Sequence, residues 1–192
     1  MNPITHLLAG WAVGLPADLS RRDRGLIVLA SISPDLDAAP ALIDLAKGRS
    51  LQDLELGSRF HHSAHTLAFA AAFSLACLLV ARRRFAAAAL AFAAINLHYL
   101  CDIAGSRGPD GYHWPIPYLM PLSASWQLSV PWQWGLNAWP NVLITAALLA
   151  LTIYYAWLRG CSPVGLLLTH ADRAFVDTLR NRFGMPADSS PR

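Results

Sequence analysis

Apolar positions along this chain fall in blocks separated by short polar breaks, and the spacing inside the blocks predicts helices. The runs 65–80, 85–97 and 142–158 read as blocks long enough to span a bilayer, and the last has no charged residue inside it. A shorter block, 4–15, reads as an amphipathic or shallow helix ending at Pro16, and another apolar segment, 25–45, is interrupted by Pro34 and Pro40, so neither is a clean span. After a polar stretch at 47–59, helices are expected over 60–81 and 85–104, with Arg82, Arg83 and Arg84 as the turn of a tight hairpin. From 105 to 139 the chain is rich in Pro, Gly and Trp, and Trp114, Trp126, Trp132, Trp134 and Trp139 suit an interfacial loop at headgroup level. Over 164–183, Val164, Leu168, Ala171, Phe175 and Leu179 form one helical stripe with Arg173, Arg180 and Arg182 off it, the pattern of a surface-lying helix. The fold class that follows is all-α: a polytopic membrane bundle of about five membrane-embedded helices, a Trp-rich interfacial loop and a C-terminal amphipathic helix. The expected domains are a membrane-embedded unit at 1–159 and a cytoplasmic helix and tail at 160–192, with the last residues, 186–192, frayed.

Composition agrees. Of 192 residues, 55% are hydrophobic and 14% charged, against about a quarter charged in soluble proteins, and the mean hydropathy is +0.36. A soluble domain, a disordered chain and a collagenous fibre are excluded. The formal charge of +3 and pI near 9.0 come from basic residues spread over short loops, so no nucleic-acid partner is expected. Cys77, Cys101 and Cys161 lack CxxC spacing and imply neither a disulfide framework nor a thiolate zinc site. No basic region precedes the first apolar stretch, so no removable signal peptide is expected. Five passages with the N-terminus outside put Arg21, Arg22, Arg24, Arg82, Arg83, Arg84, Arg159, Arg173, Arg180, Arg182 and Arg192 on one side. That is eleven of the fifteen basic residues, leaving Lys47, Arg49, Arg59 and Arg107 on the other. The side with eleven is expected to be the cytoplasm, in an inner or plasma membrane.

That topology brings the ionisable residues of the apolar blocks to one level on the extracytoplasmic side. His6 opens the first helix, Asp35 and Asp37 close the second, His61, His62 and His65 open the third, and His98 and Asp102 close the fourth. Reversing the orientation would move them all together. His61 and His65 are four residues apart, as are His98 and Asp102, so each pair is expected on one helical face; His62 and His65 offer an i, i+3 alternative. Imidazole with carboxylate, at about 2 Å, suits zinc first and manganese second, with one or two ions. Each residue also has a structural reading: His6 as a helix-start residue, Asp35 as a first-turn acid after Pro34, His98 as a satisfied core histidine. Their convergence favours the metal, because ionisable groups at membrane depth cost several kcal/mol unless paired or coordinated. Arg59 fits an anionic substrate or a snorkelling interfacial role, and His113 fits a ligand, a proton donor or an interfacial residue. Asp110 reads as a turn former and His170 lies far from the cluster. HExxH, GxSxG, GxxxxGK[ST] and GxGxxG are all absent, which disfavours a zincin, an α/β-hydrolase and a nucleotide-driven motor.

The order Thr5-His6-Leu7-Leu8-Ala9-Gly10, Ser33-Pro34-Asp35-Leu36-Asp37, His61 to Thr66, His98-x3-Asp102, Trp114-Pro115 and Pro121-Leu122-Ser123 resembles the membrane-bound metal-dependent hydrolases of the DUF457, or YdjM-like, family. The similarity spans residues 1 to about 145. The resemblance implies a distant relation to zinc-dependent phospholipase C and P1-type nucleases, and with it hydrolysis of a phosphoester, a phospholipid or related, by metal-activated water. It implies His6, Asp35, His61 or its neighbours, His65, His98 and Asp102 as metal ligands. The family commonly has His-Arg before Thr-His-Ser, where this chain has His61-His62 with Arg59 ahead, which leaves open which of His61 and His62 is the ligand. On this reading Asp37 or His62 supplies the leaving-group proton, Arg59 holds the anionic substrate, and the partners are membrane lipid and the phosphoester. The competing functions are a metal-binding or ion-conducting membrane protein without turnover and, third, haem ligation between His65 and His98, which needs none of the carboxylates.

Overall fold

The computed structural model describes residues 1–50, 62–108 and 111–186. Helix α1 spans Pro3–Gly14, with the Asn2 side chain accepting from the Thr5 amide at 2.9 Å and Pro3 in its first turn. Helix α2, Arg21–Ile32, is capped by Ser20; it stops at Pro34, and the chain continues through a 3₁₀ turn, Pro34–Ala38, into α3, Pro40–Ala46. Helix α4 covers Leu67–Val80, α5 Arg84–Gly105 and α6 Trp139–Arg159. A 3₁₀ turn, Pro163–Leu166, precedes α7, Thr169–Phe183. No strand occurs among the described residues, only two isolated bridges in the 106–138 segment.

Length decides what can cross a membrane. At 1.5 Å per residue α5 and α6 extend about 33 and 32 Å, enough for a hydrocarbon core of about 30 Å. They are the two described helices that are both long and apolar enough, and α2 with Pro34–Ala46, bent by 49°, makes a third if taken as one broken span. The twelve residues of α1 and fourteen of α4 reach only about 18 and 21 Å.

Helix α5 is the axis of the bundle and packs against α4, α2 and α1, while α1 also packs on α2 and α6. Its inner face is built of Ala87, Ala88, Ala91, Ala94, Ile95 and Tyr99, all buried, so neighbouring helices approach closely. At the α1–α2 crossing a Cβ on Gly10 would come within 2.5 Å of Ser31 Cβ, so only glycine fits.

The 106–138 segment closes one end of α5. Gln133 Nε2 donates to the Asp102 carbonyl at 2.9 Å, the Trp134 amide to the Ala104 carbonyl at 3.0 Å and Asn141 Nδ2 to the Gly105 carbonyl at 2.8 Å. These are the carbonyls a helix C-terminus leaves without partners. Three arginine-bearing segments meet at the opposite end. The amides of Arg82 and Arg83 donate to the Asp23 carboxylate at 2.8 and 3.2 Å, and Arg21 Nη2 donates to the Leu166 carbonyl at 3.0 Å.

Two expectations are corrected. The helix expected from 60 begins at Leu67, because Thr66 turns extended and its Oγ1 accepts from the Phe69 amide at 3.1 Å; residues 62–65 form a turn, with His62 at φ 77°. The amphipathic helix expected over 164–183 begins at Thr169, and its inward residues are Asp172 and Val176, while Val164 and Leu168 are exposed. The cause is Asp172, whose Oδ1 accepts from the Ser162 amide at 2.9 Å and from Ser162 Oγ at 2.6 Å and ties this face to the preceding turn.

Candidate metal centre

Four segments supply the cluster: His6 from α1, Asp35 and Asp37 from the 3₁₀ turn after α2, His65 from the turn before α4, and His98 with Asp102 from α5. One ligand atom each from His6, Asp35, His98 and Asp102 lies within 4.8 Å of the others. His98 Nε2 is 3.0 Å from Asp102 Oδ2, 3.6 Å from Asp35 Oδ1 and 3.2 Å from His65 Nε2. His6 Nε2 is 3.2 Å from Asp102 Oδ1, and His65 Nε2 is 3.5 Å from Asp102 Oδ2. The His6 and His98 rings stack with centroids 3.7 Å apart. His6 and His98 are fully buried, His65 and Asp102 nearly so, and Asp35 is the partly exposed member.

What lies behind these side chains fixes which ring nitrogens face inward. Ser31 holds two of them: its carbonyl takes the Nδ1–H of His98 at 2.8 Å, and its Oγ donates to the His6 carbonyl at 2.7 Å. Asp37 Oδ2 takes the Nδ1–H of His65 at 2.9 Å and the Ala64 amide at 3.2 Å. Tyr99 Oη donates to the carbonyls on either side of His65, Ala64 at 2.8 Å and Thr66 at 3.0 Å. With both Nδ1 atoms used as donors, the neutral rings of His65 and His98 direct Nε2 lone pairs at each other across 3.2 Å. Such an arrangement needs a proton or a metal cation between them. Two further observations fit a cation: His6 Nδ1 and Asp35 Oδ2 are buried and have no hydrogen-bond partner. Without metal the proton serves. Burial works against a charged His65, yet Asp102 and Asp37 override it and push the ring up to about 9. The Met1 amino group also lies against Asp102 Oδ1 and donates to Ser106 Oγ at 2.7 Å.

A cavity of about 250 Å³ opens at the cluster, lined by Asp35, His65 and Asp102 together with His62, Trp114, Ile116 and Leu136. The His62 ring stands 5.7 Å from that of His65 and 5.4 Å from that of Trp114.

Of the residues singled out from sequence, the structure therefore gathers His6, Asp35, His98 and Asp102, adjoins His65, and sets Asp37 behind His65 and His62 on the cavity lining beside His65. His61, Arg59 and Asp110 lie outside the described residues. The i, i+4 reading holds for His98 and Asp102 and fails for His65, which sits in a turn ahead of the helix. His113 is half-buried in the loop and is not among the residues gathered, and His170 is exposed at the start of α7. Sequence reasoning missed Ser31, Tyr99, Ser106 and Gln133. Only Tyr99, a polar ring one residue after His98, carries a local signal.

Fold and site together define a helical membrane protein with a buried histidine–aspartate cluster at one end of its bundle. The YdjM inner membrane protein family matches residues 1–171, and the chain belongs to that family. No curated protein and no solved structure matches it.

Proposed function

We propose that this chain is an integral-membrane, metal-dependent hydrolase of phosphoesters, acting on a phospholipid or a related substrate. The observation that carries the reading is the convergence of His6, Asp35, His98 and Asp102, whose ligand atoms lie within 4.8 Å of one another, with His65 Nε2 3.2 Å from His98 Nε2. His6, Asp35, His65, His98 and Asp102 would hold the ion, zinc in preference to manganese, as the mixed imidazole and carboxylate set suits a borderline first-row cation. When bound, such an ion supplies Lewis acidity that brings water's pKa towards about 7 and polarises a phosphoryl oxygen.

The protein's own groups do the rest. Asp37 and the Ser31 carbonyl keep the His65 and His98 rings in one tautomer and orientation, which makes Asp37 a positioning residue in this reading. His62, on the cavity lining beside His65, is the candidate to hand a proton to the leaving oxygen. Trp114, Ile116 and Leu136 exclude water and take the apolar part of a lipid-like substrate. Arg59, close in sequence to the His62 turn, would hold the anionic group, and Arg59→Ala is then expected to weaken substrate handling by about 1.5–3 kcal/mol. We read α1, the bent α2–α3 pair, α4, α5 and α6 as five membrane-embedded elements, with the exposed Trp126, Trp132 and Trp139 at headgroup level. The arginine-rich end then faces the cytoplasm and the cluster faces away from it.

The test is hydrolysis of phosphodiester and phospholipid substrates by the detergent-purified chain, with and without chelator. Release that is lost with chelator and restored by zinc or manganese supports the reading. Bound metal with no turnover over the screen points instead to a metal-binding or ion-conducting protein. For orientation, Tyr112→Cys should react with a membrane-impermeant thiol reagent in intact cells and Arg83→Cys should not, once the native cysteines are removed. The reverse labelling would put the cluster on the cytoplasmic side.

A further inference from the structure

At the arginine-rich end, away from the metal cluster, a second cavity of about 280 Å³ lies between α1, α2, the Pro163–Leu166 turn and the start of α7. Trp11, Arg21, Arg24, Ser162, Thr169 and Asp172 are on its lining. Three side chains of its lining, Trp11, Arg21 and Arg24, offer hydrogen-bond donors not all of which are used. Trp11 is 2% exposed, and its Nε1–H is buried without an acceptor. The Arg24 guanidinium stands 5.6 Å from the centre of the Trp11 ring, and Nε donates to the Leu19 carbonyl at 3.3 Å and Nη2 to the Ala17 carbonyl at 3.5 Å. Those bonds hold the guanidinium in place yet use two of its five N–H groups, and Arg21 uses one of its five on the Leu166 carbonyl. Asp172 is the acid of the lining, and its Oδ1 already receives the amide and hydroxyl of Ser162.

A buried indole N–H lacking an acceptor is destabilising unless a ligand supplies one. Two guanidinium forks beside it call for an anion with several acceptor oxygens, and a phosphate group matches them where a single carboxylate or halide does not. The position adds to this. On the membrane placement proposed above, the end of the bundle where Arg21, Arg24 and the Arg82–Arg84 turn meet is at headgroup level, where anionic lipids gather around basic pockets between helices.

We propose that this cavity is a binding site for a phosphate group, separate from the metal centre, with Arg24, Arg21 and the Trp11 N–H as its donors. An anionic lipid headgroup and free phosphate present the same group, and the experiment separates them. The experiment is native mass spectrometry of the full chain released from nanodiscs of phosphatidylcholine with phosphatidylglycerol, with a parallel titration by inorganic phosphate. The wild-type chain is expected to retain the phosphate ligand, Arg24→Gln to lose about tenfold in affinity and Trp11→Phe, which keeps the ring packing, about threefold. Retention of phosphatidylglycerol that inorganic phosphate does not displace identifies the lipid as the source; binding of inorganic phosphate alone identifies the free anion. Asp102→Ala should leave this binding unchanged. Arg21 is exposed, so Arg21→Gln keeps the test informative if Arg24→Gln fails to fold. Wild-type retention in folded Arg24→Gln or Arg21→Gln protein, or loss in Asp102→Ala alone, overturns the site.

Discussion

Two buried carboxylates, at opposite ends of the bundle, have contrasting company. Asp23, in the first turn of α2, receives the backbone amides of Arg82 and Arg83 and so ties the hairpin turn to its neighbour. Asp102, near the end of α5, faces the rings of His6, His65 and His98 at 3.2, 3.5 and 3.0 Å. Both are acids in an apolar bundle, so burial alone does not distinguish structure from chemistry. The partners do: backbone amides are permanent donors that satisfy a carboxylate outright, whereas imidazoles change role with a proton or a metal.

The sharpest break in the comparison is Asp102→Ala against Asp23→Ala. The first should lower metal affinity at least a hundredfold, more than the 10–100-fold typical of an outer-sphere partner, with membrane insertion intact. The second should leave the metal content of folded protein unchanged. Equal metal loss in both would erase the distinction. Next in size is Asp37→Asn, which removes the charge behind His65 and should cost about 10–100-fold in metal affinity, measured by competition with a chelating dye. An unchanged affinity would return Asp37 to a purely structural role at the Ala64 amide.

The third prediction concerns protons. His65 is held up to about 9 in the metal-free protein, so a metal ion that bound this ring would have to displace its proton below that pH. Metal titration in weak buffer at neutral pH should release about one proton per ion from this ring, and apparent affinity should rise by up to tenfold per pH unit towards 9. For the metal-free protein the sign is the opposite: the protonated ring's contribution to stability is fully present below about 6.5 and is lost as pH rises through about 9. No proton release would argue that His65 is not a ligand. Asp23→Asn should affect the metal site least. It weakens the two amide contacts, costing about 1–3 kcal/mol of stability, visible as a lower midpoint of thermal unfolding in detergent with metal stoichiometry unchanged.

The periodicity of apolar residues located the helices well where caps and prolines are local, as at Asn2, Pro34 and Gly105, and it identified His98 and Asp102 as one face of α5. It failed at His65 because Thr66 is a strong N-cap placed inside an otherwise helical apolar pattern, and the cap won. The face of α7 was misread for a related reason, since a polar residue, Asp172, turned inward to reach Ser162, and no hydrophobic period encodes that pair. Ser31, Tyr99 and Gln133 support the cluster through hydrogen bonds to residues 67, 35 or 33, and 31 positions away, and such long-range pairings leave no trace in local spacing. The elements that bring His6 and Asp35 beside α5 were legible as motifs before their geometry was.

The central claim, that the cluster at the end of α5 holds a divalent metal ion, is tested most directly by elemental analysis of the full chain purified in detergent without chelator. At least one equivalent of zinc or manganese per chain is expected in the wild type, and its loss in His98→Ala. A metal-free wild type that takes up neither ion when titrated, or His98→Ala protein with the same content as wild type, would contradict it.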